Sequence, residues 1–170
     1  MPKIGLVWAQ TEKGVIGINN TIPWHSSEDL KHFNEVTRGS TVIMGKATWF
    51  SLPERFRPLP NRRNLVLSSD LSLQADGAEV FSSLENAFAS VETEWAWVMG
   101  GQRVYADALL FADRLEITKI DLPEVVGDTF APSIPTSFRL EKSYPEQSEK
   151  WAEAVINSDD PRYRFESYVR

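Results

Sequence analysis

Ala96-Trp97-Val98-Met99-Gly100-Gly101-Gln102-Arg103-Val104-Tyr105 is the stretch whose reading decides the fold. Four apolar residues run together with no polar alternate, and a strand of that kind must be covered on both faces, as in a parallel sheet. Two glycines end the run. Beyond them Val104, Tyr105, Ala108 and Phe111 recur at helical spacing over 102–111. A buried strand, a glycine turn and an amphipathic helix form one step of a layered α/β fold.

The same pattern recurs outward in both directions. Val42-Ile43-Met44 and Leu65-Val66-Leu67 are further continuous apolar runs, and strands are expected over 4–9, 41–44, 64–68, 79–81, 95–99 and 115–120. Helices are expected over Ser27–Thr37, with Leu30, Phe33 and Thr37 on one stripe, and over 84–91, with Leu84, Phe88 and Val91 on another. Toward the end, 138–144 and 162–169 alternate more regularly and read as an antiparallel hairpin at a sheet edge. The stretch 145–161 between them suits either a continued strand or a short helix. The expected fold is α/β, in three layers, with a central, mostly parallel sheet, an antiparallel C-terminal edge strand and about four flanking helices. One domain over 1–170 fits the length and the lack of any repeat or linker.

Composition excludes several chemistries. With no Cys there is no disulfide, no thiolate nucleophile and no cysteine-bound zinc. His25 and His32 are the only histidines, so neither a metal site nor a serine–histidine hydrolase is expected. A net charge of −6 argues against nucleic acid as a partner, and any small anionic ligand would need a local cation. No apolar run approaches the length of a membrane span, and a cytoplasmic monomer is expected. The segment 39–46 mimics a phosphate loop but separates its glycines by five residues, and Ala47 stands where a magnesium-binding hydroxyl would be needed.

Three segments remain as candidates for chemistry. Gly100-Gly101 sits between a buried strand and a helix, where glycine lets a ligand approach the backbone; a plain tight turn is the simpler reading. Gly45-Lys46-Ala47-Thr48 repeats the arrangement, and Lys46 beside a helix start is unfavourable for the helix dipole unless it meets an anion; a solvated lysine is the simpler reading. Ile22-Pro23-Trp24-His25-Ser26-Ser27-Glu28-Asp29-Leu30 is the third. Ser26 and Asp29 fit a capping box, which on local pattern outweighs catalysis. Yet Asp29 lies four residues before Phe33, at the edge of the apolar stripe, where burial among Trp24, Leu30 and Phe33 would raise its pKa. Glu28, one position round the helix, is expected to be a solvated charge.

Together these segments resemble bacterial dihydrofolate reductases. The matching pieces are Gly14-Val15-Ile16-Gly17, Ile22-Pro23-Trp24 with Asp29-Leu30 and Phe33, Val42-Ile43-Met44-Gly45-Lys46 with Thr48-Trp49, and 58–64. Ser68-Ser69, 98–105, Thr118 and Gly127-Asp128-Thr129 follow in family order, so that the likeness covers residue 4 to about 130. The resemblance implies an eight-stranded sheet and reduction of 7,8-dihydrofolate by NADPH. It implies that Asp29 holds the pteridine and eases protonation of its imine nitrogen, with Thr118 orienting Asp29 and with Trp24 and Tyr105 close to the reacting groups. Val7, Trp8, Ile22, Leu30 and Phe33 would line the substrate site, as would Leu52, Leu59 and Met99, while Arg62 would pair with the substrate's glutamate carboxylate. On the cofactor side it implies Ala9, Ile16, Gly17, Asn20, Thr21 and Thr129 near the nicotinamide and its ribose. Gly45, Lys46, Ala47 and Thr48 would surround the phosphates with Leu67, Ser68 and Ser69, and Gly100, Gly101, Gln102, Arg103 and Val104 would complete that side with Met99. Gln102 stands where the family carries a third glycine. Competing readings are a same-fold pyrimidine reductase of riboflavin synthesis, which need not keep Trp24, Asp29 and Arg62 together, and a non-catalytic dinucleotide-binding module.

Overall fold

The structure is a computed structural model that describes every residue except Gln147. Its strands are β1 (Lys3–Thr11), β2 (Val15–Gly17), β3 (Thr41–Gly45), β4 (Arg63–Leu67), β5 (Ala78–Phe81), β6 (Trp95–Val98), β7 (Arg114–Ile120), β8 (Thr129–Phe130), β9 (Arg139–Tyr144) and β10 (Tyr163–Val169). Its helices are α1 (Ser27–Thr37), α2 (Lys46–Ser51), α3 (Leu84–Ser90) and α4 (Gln102–Ala108). Eight strands form one sheet in the order β5-β4-β3-β6-β1-β7-β10-β9, while β2 and β8 pair separately. The chain divides into two compact units, a first of Met1–Leu6 with Thr37–Ala112 and a second of Val7–Val36 with Asp113–Arg170.

The first unit is parallel. β4 pairs with β5 and β3, and β3 with β6, all in parallel register; Lys3–Leu6 of β1 pairs parallel with β6. The continuous apolar runs are buried as their composition requires: Val42, Ile43, Met44, Leu65, Val66, Ala96 and Val98 are all fully inaccessible. Helices follow β3, β5 and β6 almost without a loop, so the C-terminal ends of neighbouring strands β3 and β6 each open into a helix through a glycine. In parallel sheets that end is where ligands bind. The helix expected over 102–111 is split into α4 and a tighter 3-10 turn, Leu109–Phe111.

In the second unit the C-terminal ladders are antiparallel. β10 pairs with β7 on one side and β9 on the other, so the C-terminal hairpin closes the sheet with β9 outermost and the C-terminal strand one place inside it. The β2–β8 ladder escaped the sequence pattern because three and two residues are too short to alternate. Neither alternative for 145–161 holds among the described residues. The segment is irregular, with a single bridge, Ala152 to Tyr163; Gln147 lies outside the described residues.

Gly5 fixes one contact in the first unit. A Cβ built on it would fall inside the ring of Trp97, the neighbouring residue on β6. Gly5→Ala must therefore displace a buried indole. It should cost about 1–3 kcal/mol in urea unfolding, the usual penalty for overpacking; an unchanged midpoint would show that Trp97 has room to move.

Candidate functional site

The start of α1 needs acceptors for its first N–H groups. Ser26, buried, supplies one: its Oγ accepts from Asp29 N at 3.1 Å, and its carbonyl accepts from Leu30 N at 3.1 Å. The second half of the expected capping box is missing. Instead Asp160, far along the chain, accepts from Ser27 N at 2.9 Å through Oδ2 and meets His25 Nδ1 at 3.1 Å through Oδ1. The Asp29 carboxyl is thereby released from the helix end and is hydrogen-bonded to the Thr118 side chain on β7. Burial pushes the Asp29 pKa up to about 6, and the Thr118 bond, pulling the other way, only partly offsets it.

The second unit also holds the apolar candidates. Trp24 packs with Ala9 and Phe165 on the buried cluster of Ile120, Ala152 and Tyr163, whereas Ile22 and Leu30 leave 62% and 52% of their surfaces exposed. Exposed apolar side chains of this kind are what an apolar ligand would cover. Val7 and Trp8 are buried on β1, with Trp8 Nε1 donating to Gln10 Oε1 at 2.9 Å, and Phe33 is partly buried one turn beyond Asp29.

Glu28 corrects an expectation. It is buried, and its Oε2 accepts from Val155 N at 2.7 Å and Ile156 N at 3.2 Å. It ties the irregular segment to α1, as Asp160 does, and is not a solvated charge. No local pattern could reveal either tie, because the partners lie more than a hundred residues apart in sequence.

Also in the second unit, β2 and β8 bring three of the cofactor candidates together. A Cβ on Gly17 would lie 2.9 Å from Thr129 Oγ1 and 3.0 Å from the Thr21 carbonyl. Ile16 lies between Val15 and Gly17 on β2, and Asn20 is exposed in a turn with positive φ. Asp128, whose role the sequence did not indicate, accepts from Asn19 N at 3.0 Å and donates its own N–H to Gly17 O at 3.1 Å.

In the first unit the two glycine turns meet. Gly45 N donates to Gly100 O at 2.8 Å, and Gly100 has a φ of +133°, open to glycine alone. A Cβ there would lie 3.0 Å from Thr48 Oγ1 and 3.6 Å from the Tyr105 hydroxyl, while one on Gly45 would press Val104 at 3.2 Å. The glycines thus leave a bare backbone cradle edged by hydroxyls. Gln102 begins α4 with its side chain exposed, so it does not fill that cradle. Leu67, Ser68, Ser69, Arg103 and Val104 line a cavity of about 700 Å³ in the same unit. Lys46 and Ala47 are exposed, and Met99 continues β6 with its N–H on the Ile43 carbonyl at 2.9 Å. Leu52 and Leu59 are partly buried. Arg62 is held in place, its Nη1 donating to Thr37 Oγ1 and its Nε to Pro60 O, both at 2.9 Å.

The chain matches the dihydrofolate reductase family over residues 3–169, and it belongs to that family. It is 46% identical to the dihydrofolate reductase of Mycobacterium tuberculosis, over 100% of this chain and 99% of that protein. The Neisseria meningitidis dihydrofolate reductase is 41% identical over the same shares. Among solved structures, the Enterococcus faecalis dihydrofolate reductase complexed with NADP(H) and RAB-propyl superposes with a TM-score of 0.85 at 32% identity, covering 99% of this chain and 96% of that one.

The raised Asp29 pKa has a stability consequence. The folded chain holds this proton more tightly than the unfolded chain, whose value is near 3.8. Folding stability therefore falls as pH rises from about 4 to about 6, and the full penalty persists above that range. At about 1.4 kcal/mol per pKa unit the penalty is at most about 3 kcal/mol. Asp29→Asn should raise the Tm of the ligand-free protein at pH 7.5, with the gain disappearing below pH 4. A gain independent of pH would mean that burial of the charge is not its cause.

Proposed function

We propose that this chain reduces 7,8-dihydrofolate to 5,6,7,8-tetrahydrofolate with NADPH, supplying one-carbon metabolism. Family membership supports the reading, and the single structural observation that carries it is the buried Asp29 carboxyl held on Thr118. The pyrimidine-reductase and non-catalytic readings are less favoured, since the relatives matched over the full chain are dihydrofolate reductases.

The residues present fit the cofactor. Gly45 and Gly100 leave backbone where a Cβ would crowd Val104 or Thr48, and Ser68, Ser69 and Arg103 put hydroxyls and a cation in one cavity, as a phosphorylated dinucleotide needs. Lys46, Ala47 and Thr48 add a second cation and hydroxyl at the α2 turn. When bound, NADPH supplies the hydride. Gly101, Gln102, Val104 and Tyr105 carry the α4 side of that site, and Ala9, Ile16, Gly17, Asn20, Thr21 and Thr129 its nicotinamide side.

The chain's own chemistry centres on one proton. Hydride addition to a neutral imine leaves an unstable anion on nitrogen, so a proton must arrive at that nitrogen. Asp29, held by Thr118, accepts from the pterin's amino group and adjacent ring N–H and raises the availability of a proton there through a water. Trp24, Trp8, Phe33 and Leu30 hold the ring, with Val7, Ile22, Leu52, Leu59 and Met99 as further apolar walls. Arg62, fixed by Thr37 and Pro60, takes a carboxylate of the tail, which a chain of net charge −6 would otherwise repel. On this reading residues 1–170 are one catalytic domain. The working form is a cytoplasmic monomer with no nucleic-acid or membrane partner; among the described residues no helix is long and apolar enough to cross a membrane.

Purified protein mixed with NADPH and dihydrofolate should lose the absorbance of reduced nicotinamide, and no loss beyond background oxidation would sink the proposal. Asp29→Asn should still bind NADPH but lose about 10²- to 10⁴-fold in turnover at pH 7, the range of one proton-transfer group. Activity should partly return in acid, where the substrate protonates itself. Unchanged turnover at pH 7 would leave Asp29 no role beyond structure.

A further inference from the structure

At the C-terminal ends of β3 and β4 a cation and a carboxylate leave the sheet together. Parallel pairing runs as far as Gly45 opposite Leu67, so Lys46 and Ser68 are the next residues of two adjacent strands. Ser68 turns aside at once: its N–H donates to Phe81 O at 2.9 Å, and its Oγ accepts from Asp70 N at 3.1 Å. The Asp70 side chain is then pinned, with Oδ1 accepting from Ser72 N at 2.9 Å and from Ser72 Oγ at 2.6 Å. An aspartate that binds the backbone two residues on closes an Asx turn, so its carboxylate is held in the same turn as the Ser68 and Ser69 hydroxyls.

The cation at this end is therefore not free to serve an anion alone. Hydrogen bonds from Ser72 hold the Asp70 carboxyl below its ordinary range, and the charge of Lys46 adds to them. Asp70 is ionised throughout the neutral range, and both it and Lys46 are exposed. Among the described residues that line the adjoining cavity, Arg103 is the one cation, beside Glu85 and Asp107. Two cations thus stand against three carboxylates. NADPH and NADH differ by one phosphate on the adenosine ribose, which carries close to two negative charges at neutral pH. Preference for NADPH depends on cations that only this phosphate meets, whereas a carboxylate near the ribose favours the plain hydroxyl of NADH.

We propose that Asp70 is a specificity-determining residue that offsets Lys46, so that this chain accepts NADH alongside NADPH and separates the two by less than about tenfold, the reach of exposed charge pairs. The inference rests on the proposed function for its cofactor, and it adds the residue that sets how far the ribose phosphate counts. A simpler role for Asp70 is to form the turn and nothing more. Asparagine fills that role equally, since its side-chain oxygen closes the same turn. That role is blind to the ribose phosphate.

The test reads binding first, without turnover, by titrating the full chain with NADP+ and with NAD+ against tryptophan fluorescence. The native chain should bind the two within about tenfold of each other. Asp70→Asn removes the charge and keeps the turn, and it should raise the preference for NADP+ about two- to fivefold, as for an exposed ion pair. The gain should shrink as salt is raised, because exposed charges are screened within about 10 Å at 0.1 M. Asp70→Glu should behave as the native chain. In turnover with dihydrofolate, the ratio of kcat/KM for NADPH to that for NADH should rise by the same factor in Asp70→Asn. A native preference for NADP+ far outside the expected range would overturn the proposal, as would equal preferences in the native and Asn chains. Weaker binding of both nucleotides by Asp70→Asn would mark a purely structural role and overturn it too. Absence of turnover with either reduced cofactor would instead overturn the proposed function, and the two titrations would still decide for or against Asp70.

Discussion

A helix opens with N–H groups that no turn of its own can satisfy, and at α1 the choice of acceptor governs the candidate site. An acid at the third position usually turns back to the helix end. Here Ser26 and Asp160 accept from Asp29 N and Ser27 N, so the Asp29 side chain is free to lie against β7 on Thr118. Burial then raises the pKa of the carboxyl, and perturbed groups of this kind cluster at functional sites. Glu28, the adjacent acid, is committed to the backbone of Val155 and Ile156. Two neighbouring carboxylates thus do different work because distant segments of the chain give them different partners.

In the first unit the constraint is backbone clearance. Parallel β3 and β6 end side by side, and each opens into a helix through glycine. Their contact, Gly45 N to Gly100 O, sets both turns at once, and side chains at either position would crowd Val104 or Thr48. Continuous apolar strands make this possible, since only a strand covered on both faces can deliver two helix starts to one place.

The sequence made the parallel half of the fold legible, because Val42-Ile43-Met44 and Ala96-Trp97-Val98 have no other way to be buried. It also marked Asp29, Arg62 and both glycine turns as candidates. What it could not show depends on partners remote in sequence or on elements too short to have a period. Asp160 and Glu28 act across more than a hundred residues, and β2 and β8 are three and two residues long. Glu28 looked solvated because its helical position was judged without the irregular segment that covers it. The local reading of Asp29 as a cap was half right, since its N–H is capped while its carboxyl is not the cap.

Burial, partly offset by Thr118, holds the Asp29 carboxyl well above the usual range. Carbon-detected NMR of the ligand-free protein labelled at aspartate carboxyls reads that directly. The Asp29 resonance should titrate at about 6, and Thr118→Val should move it higher still. Titration near 3.8, or a shift downward on loss of Thr118, would contradict the account.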